Sequence, residues 1–269
     1  GRGQGLQPFF LNAEGRRLFC LFTGREDAAQ GVLLLPPLGE EMNQIRSFHA
    51  RVARALADRG VCTLSVDLSA TGDSAGEFRN ASLADWAGDV RAGAQWLAER
   101  TGAVSMLAVR SAALHLAAFV EAVPAALGRV CVVDPVCAGG EWLDEFLRVK
   151  VSRSMFEGQR ETVDSLRARL AAGEMLEVGG YELSPSLFAE LDGVSLAAGG
   201  VPAPGGLLVV RSRERAEAGS DCKRPESLTN LSGGAPVRRV DLDYNLVWSS
   251  DRVEPPGELL AATVDYLAA

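Results

Sequence analysis

The chain has 269 residues, 47% hydrophobic and 23% charged, with a formal net charge of −8. This is ordinary globular composition, enough for one large domain or a domain with an insertion. The acidic balance argues against general binding to nucleic acid or to an anionic membrane, both of which select basic surfaces.

Short apolar runs of strand character recur at 8–11, 18–23, 32–38, 61–68, 104–109, 130–136, 207–211 and 237–242. Between the third and fourth, residues 45–59 put Ile45, Phe48, Val52 and Leu56 on one helical face, and Gly60 is the stop. Segments 83–100, 112–123 and 258–267 have similar helical character. Two opening strands followed by strand–helix alternation predict a mostly parallel sheet of about eight strands with helices on both faces. The alternation breaks between 136 and 207, where helical stretches at 141–151, 157–172 and 184–192 come without a convincing strand. The expectation is a core of 1–137 and 201–269 with a helical cap, 138–200, inserted over the C-terminal strand ends. Open α/β sheets take their ligands there. Trp142, Phe146 and Val149 form an apolar stripe at helical spacing, expected to be core between cap and sheet.

No apolar run approaches the roughly 20 residues that span a bilayer, and no signal-peptide pattern opens the sequence. Of five cysteines, Cys20, Cys62 and Cys131 lie in strand-like runs, and no C-x-x-C pair occurs. Buried free thiols of this kind behave as small hydrophobes. A reducing, cytoplasmic compartment is expected.

Residues 104–118 join a strand directly to an Ala/Leu helix, with small Ala108 and Ala112 flanking Arg110 at the turn apex. This is the layout of a nucleophile elbow, normally G-x-S-x-G. The loop PPLGEEMN at 36–43 looks like the loop after the third strand, and DLSATGDSAG at 67–76 resembles the D-x-x-G-x-G-x-S-x-G loop of α/β-hydrolases. With the Arg elbow, Asp134-Pro135-Val136 and WLDEFLR at 142–148, the whole chain resembles the exosortase A system-associated hydrolase 2 group. Those are bacterial proteins of the α/β-hydrolase fold found with exopolysaccharide and exosortase loci. The resemblance implies that fold and a link to the polysaccharide machinery, whereas the name hydrolase there is inferred from fold, which does not imply function. The chain departs from the pattern in carrying Ala at 70, 108 and 112, where Gly is usual.

A serine hydrolase of this fold needs a His after the last strand. The only histidines are His49 and His115, and the expected region, 244–250, reads YNLVWSS. The usual triad is therefore impossible. Both histidines are expected as structural helix residues; a makeshift Ser111–His115 dyad at helical spacing is the functional alternative. Ser111 becomes the nucleophile only if the turn shifts by one residue. Otherwise its backbone N–H faces the pocket, as in an oxyanion hole. Arg110 cannot act as a base at neutral pH but binds carboxylate or phosphate well. Two readings stay open: Glu40 or Glu41 plugs a dead site by pairing with it, or it lines an anion pocket. Asn43 is expected to N-cap the helix beginning near Gln44. Asp67, Asp73 and Ser74 are expected to fix their loop, and Asp134 to fix its own, although it lies near the pocket. Glu214, Glu217 and Asp221 follow the seventh strand, where a triad acid usually lies.

The candidate ligand-contacting set is thus Glu40, Glu41, Asn43, Arg110, Ser111 and Asp134, with no metal or cofactor expected. The reading favoured is a catalytically degenerate protein that binds a small anionic or acyl ligand, or a protein of the polysaccharide and exosortase machinery. The alternatives are an esterase or thioesterase using Ser111, and a non-hydrolytic enzyme using Arg110 as an anion clamp with Glu40 or Glu41 as acid/base.

Overall fold

The computed structural model describes residues 5–119, 127–156, 158, 160–196, 203–212, 235–244 and 255–269. Strands β1 (Gly5–Ala13) and β2 (Arg16–Gly24) form an antiparallel hairpin, followed by β3 (Gln30–Leu34), α1 (Glu41–Ala57), β4 (Cys62–Val66), α2 (Leu83–Ala98) and β5 (Ala103–Val109). A 3-10 helix over Arg110–Phe119 leaves β5, and β6 (Leu127–Val133) comes next. The segment that follows holds α3 (Gly139–Phe156), α4 (Val163–Ala171), a hairpin of β7 (Leu176–Val178) and β8 (Tyr181–Leu183), and α5 (Pro185–Asp192). β9 (Leu207–Ser212), β10 (Val237–Leu242) and α6 (Gly257–Ala268) complete the order.

The main sheet has eight strands in the order β1-β2-β4-β3-β5-β6-β9-β10. From β4 to β10 every pairing is parallel; only β1–β2 and β2–β4 are antiparallel. Side chains alternate between two cores, as the two-residue strand period requires. Val32, Leu34, Leu107, Val109, Cys131 and Val133 face α1 and α6, whereas Leu33, Leu35, Met106, Ala108, Val130 and Val132 belong to the core shared with α2 and the segment between β6 and β9. Burial on both sides makes these strands read as continuous apolar runs.

Helix starts follow local chemistry. Ser82 accepts the Asp85 N–H at the head of α2, and Ser184, followed by Pro185, does the same for α5. Thr162 and Ser165 form a reciprocal capping box on α4. The expected helix over 157–172 therefore begins at Val163, and the expected 141–151 extends to Gly139–Phe156. The β7–β8 hairpin was not foreseen: strands of three residues are too short to show a period. Asn43 does not cap α1. It lies inside the first turn, and its Nδ2 donates to Glu40 Oε2 at 3.1 Å. Of the apolar stripe, Trp142 and Phe146 are buried and stacked, but Val149 is 52% exposed.

The loop from Asp67 is pinned as expected. Ser74 Oγ accepts the Phe19 N–H and donates to the Asp67 carbonyl, while Asp67 Oδ2 accepts the Asp73 N–H. Gly72 is held at φ +53°, where an added Cβ would stand 2.1 Å from Asp67 Oδ2. Ala70, in the same loop, has φ 63° with a side chain that disfavours it. A left-handed non-Gly residue costs roughly 1–2 kcal/mol, part of which Gly would return in unfolded-state entropy. Ala70→Gly is therefore expected to stabilise by up to about 1 kcal/mol, a rise of roughly 2–4 °C for a chain of this size. A melting temperature that falls on this substitution would contradict the strain.

Candidate functional site

β5 ends at Val109, and Arg110 then turns the chain with φ 54°, in the left-handed region. Ala108 and Ala112 on either side are fully buried. The apex is thus Arg110, in the unshifted frame, and the strand–turn–helix elbow is present without a serine at its tip. The helix that leaves it is 3-10, with three residues per turn. Ser111 and His115, four apart, therefore lie a third of a turn from each other rather than on one face.

The Arg110 side chain is 2% exposed. Its Nε donates to Glu41 Oε1 at 3.3 Å, and its Nη2 lies 3.2 Å from the same oxygen and also bonds Glu145 Oε2. Its Nη1 is buried and has no partner among the described residues. Of the two expected carboxylates, Glu41 makes the pair. Glu40 instead accepts from Asn43 and, at 3.5 Å, from the Tyr181 hydroxyl on β8. Glu145, on α3, was missed. It sits beside Phe146 on the helix whose aromatic pair packs over the loop after β3, where Gly39, at φ +56°, leaves room for both rings.

Glu41 does more than neutralise Arg110. Its Oε2 accepts the Ser111 backbone N–H at 3.2 Å and also the Ser111 hydroxyl. Ser111 Oγ in turn accepts the Leu38 N–H at 2.9 Å. In α/β-hydrolases the oxyanion hole is made by the N–H after the apex and an N–H from the loop that follows the third strand. Here the N–H after the apex is spent on Glu41, and the Leu38 N–H of that loop on Ser111 Oγ. Ser111 itself is fully buried.

Asp134, at φ 42° and buried, accepts the Ser212 N–H on Oδ1 at 2.7 Å and the Tyr244 hydroxyl on Oδ2 at 2.9 Å. It ties the end of β6 to the end of β9 and to the chain beyond β10. Glu214, Glu217 and Asp221 lie outside the described residues, as does 245–250. His115 is buried edge-on to Trp86, 6.3 Å between ring centres. Burial lowers its pKa to about 4, opposed by a hydrogen bond with the Pro36 backbone; burial and nearby Arg46 likewise lower His49 to about 4. Burial pushes the Cys20 thiol up to about 12 and Cys62 to about 11, so neither is a nucleophile at neutral pH. Cys137 is disulfide-bonded, which the cysteine pattern did not suggest. Among the described residues no group of three or more His, Cys, Asp or Glu could hold a metal, and no helix is long and apolar enough to cross a membrane.

Comparison with protein-family models and with curated proteins finds no match. Solved structures do match across almost the whole chain. Est1E from Butyrivibrio proteoclasticus, with ferulic acid bound, aligns at TM-score 0.66 and 14% identity over 97% of this chain and 96% of its own. Mouse alpha/beta hydrolase domain-containing protein 10 aligns at 0.65 and 14%, over 97% and 98%. Epoxide hydrolase A from Mycobacterium thermoresistibile aligns at 0.64 and 15%, over 98% of each chain. At such identities the likeness establishes architecture, and the chain has the α/β-hydrolase fold.

Two outcomes follow from the site. Removing either partner of a buried ion pair commonly costs about 3–5 kcal/mol; partial exposure of Glu41 and Glu145 places Arg110→Ala and Glu41→Ala at or below the lower end. The double variant should cost less than the sum of the two, by roughly 1 kcal/mol or more. Additive losses in denaturant unfolding would show that the pair is not coupled. For the histidines, folded pKa values near 4 against 6.5 unfolded mean that the unfolded chain binds more protons between those limits. Their contribution is complete above pH 6.5 and is lost as pH falls towards 4, up to about 3 kcal/mol for each. His115→Leu should flatten the fall in melting temperature across that window; an unchanged slope would mean that His115 titrates normally.

Proposed function

We propose that this is a catalytically degenerate α/β-hydrolase-fold protein that binds a ligand or a partner instead of turning over an ester. One observation carries the reading: the Glu41 carboxylate occupies the Ser111 N–H, the donor that would stabilise an oxyanion. The Arg110 apex and the lack of any His beyond 115 agree with it. The segment between β6 and β9 serves as a cap, its Glu145 reaching Arg110. With two carboxylates on one guanidinium the site carries no surplus positive charge, so an anionic or acyl ligand has to displace Glu41 or Glu145. The unpartnered Arg110 Nη1 is the donor that would receive it. The assignment to a bacterial exosortase or exopolysaccharide setting, and to a protein partner from that machinery, rests on the resemblance of the loops and the Arg elbow. Three free buried cysteines favour the cytoplasm, and the disulfide at Cys137 weighs the other way.

One contact favours a second reading. Ser111 Oγ donates to Glu41, a carboxylate that could accept its proton during attack on an ester or thioester. The same geometry occupies the Ser111 N–H and the Leu38 N–H, so this enzyme would need its loop after β3 to move. Fluorophosphonate labelling separates the two readings. The parent protein is expected to show no labelling and no hydrolysis of short p-nitrophenyl esters above a Ser111→Ala control. Labelling that disappears in Ser111→Ala would establish the hydrolase. In the same preparation, phosphate or a short carboxylate should raise the melting temperature of Glu41→Gln but not of Glu41→Gln with Arg110→Ala, through binding linkage. Equal shifts in both would remove Arg110 from the ligand site.

A further inference from the structure

β5, β6, β9 and β10 run parallel, so the elbow at the end of β5 and the starts of β6, β9 and β10 lie at opposite ends of the sheet. At that far end a cavity of about 430 Å³ opens between the strand starts and α6. Small-molecule sites commonly have volumes of roughly 300–1,000 Å³. The two-residue strand period decides what faces it. Cys131 and Val240 pack in the core under α1 and α6, so Arg129 and Arg238, each two residues earlier, point to that same side of the sheet. β9 runs between β6 and β10, and Gly206, just ahead of it, puts no side chain between the two arginines. A Cβ there would stand 3.0 Å from the Tyr266 hydroxyl of α6, so the glycine leaves room for the phenol.

Three polar groups from three elements thus meet in the cavity. Arg129 is half-buried; its Nη1 donates to the Tyr266 carbonyl at 3.1 Å, and its guanidinium lies 5.6 Å from the centre of the Tyr266 ring. Its Nε and Nη2 have no partner among the described residues, and neither has the exposed Arg238 guanidinium. Burial, with Cys131 nearby, pushes the Tyr266 phenol up to about 12, and both arginines oppose that rise. The hydroxyl is therefore a protonated donor at neutral pH, and no acceptor among the described residues takes it. Asp265, also in the wall, is held by Arg59 at 2.6 Å, and Ala269 pairs with neither arginine. In a chain of net charge −8 this leaves a local excess of positive charge. Leu208, Val240 and Ala262 supply an apolar wall beside it.

The donors select among anions. A carboxylate has one charge and two oxygens, and a single guanidinium fork satisfies it. A phosphate monoester brings three acceptor oxygens and a charge of about −1.5 to −2 at neutral pH, which matches two guanidiniums and a phenol. We propose that the cavity between the starts of β6, β9 and β10 and the end of α6 is a second ligand site, separate from the elbow, for a small phosphate monoester. Its phosphoryl group sits among Arg129, Arg238 and the Tyr266 hydroxyl, and its apolar body lies against Leu208, Val240 and Ala262.

Phenyl phosphate is the probe, titrated calorimetrically into the parent protein at low ionic strength. Saturable one-to-one binding is expected. Benzoate should bind about tenfold more weakly or worse, having one charge and two oxygens. Inorganic phosphate should do the same, lacking the apolar contact. Arg238→Ala removes an exposed side chain from the edge strand, far from Arg110. It should keep the parent melting temperature and weaken phenyl phosphate about tenfold. If Arg238→Ala does not fold, Tyr266→Phe removes the hydroxyl alone, with an expected loss of roughly fivefold. Three results would overturn the proposal. The first is no saturable binding at millimolar concentrations of phenyl phosphate. The second is equal binding by benzoate, or by inorganic phosphate, which would make free phosphate the ligand. The third is unchanged affinity in a folded Arg238→Ala or Tyr266→Phe, which would place the anion elsewhere.

Discussion

The Glu41 carboxylate holds together three parts of the molecule that meet at the C-terminal edge of the sheet. Through one oxygen it neutralises a guanidinium on the end of β5, and through the other it fills the first N–H of the helix beyond the turn. It does so from the first turn of α1, so the loop after β3 is fixed at the same time. The arrangement answers a constraint imposed by Arg110. A residue at φ 54° between a strand and a helix has its side chain projected away from both, and a buried guanidinium has to be met by charge. Glu41 and Glu145 converge because that position admits no solvent to take their place.

A strained apex is usually retained where strain serves a reaction. Here the strained backbone carries an arginine and aims its cation at the segment between β6 and β9. Asp134 is a second case. At φ 42° it is another left-handed residue on a strand end, and its carboxylate is consumed by Ser212 and Tyr244 in tying neighbouring strand ends together. At both strand ends the charged side chain holds neighbouring elements together.

Much of this was legible in the residues. The runs buried on both faces reported their strands, because parallel strands hide both sides, and the Ile45, Phe48, Val52 and Leu56 face of α1 followed from helical period. The apex position followed from the small neighbours Ala108 and Ala112, and a pairing of Arg110 with Glu40 or Glu41 from charge balance, without a choice between the two. What escaped has physical reasons. β7 and β8 are too short to carry a period. Asn43 looked like a cap, but α1 starts two residues earlier, at Glu41, so Asn43 lies within its first turn. Glu145 belongs to a segment distant in sequence, and no local pattern marks which acid on a helix will face a cation elsewhere. The spacing of Ser111 and His115 suggests one face only for an α-helix, and the helix there is 3-10.

The double pairing of Arg110 also bears on how such a site can change over generations. Replacing the apex arginine by serine in one step would rebuild the outline of a nucleophile while leaving Glu41 and Glu145 facing each other without a cation. Two ionised carboxylates in a poorly solvated space repel, and one would have to take up a proton or swing away. The carboxylates cannot leave first either, since that would strand a buried guanidinium. Loss of either side alone is a disadvantage, so the arginine and its two carboxylates can be exchanged only as a set.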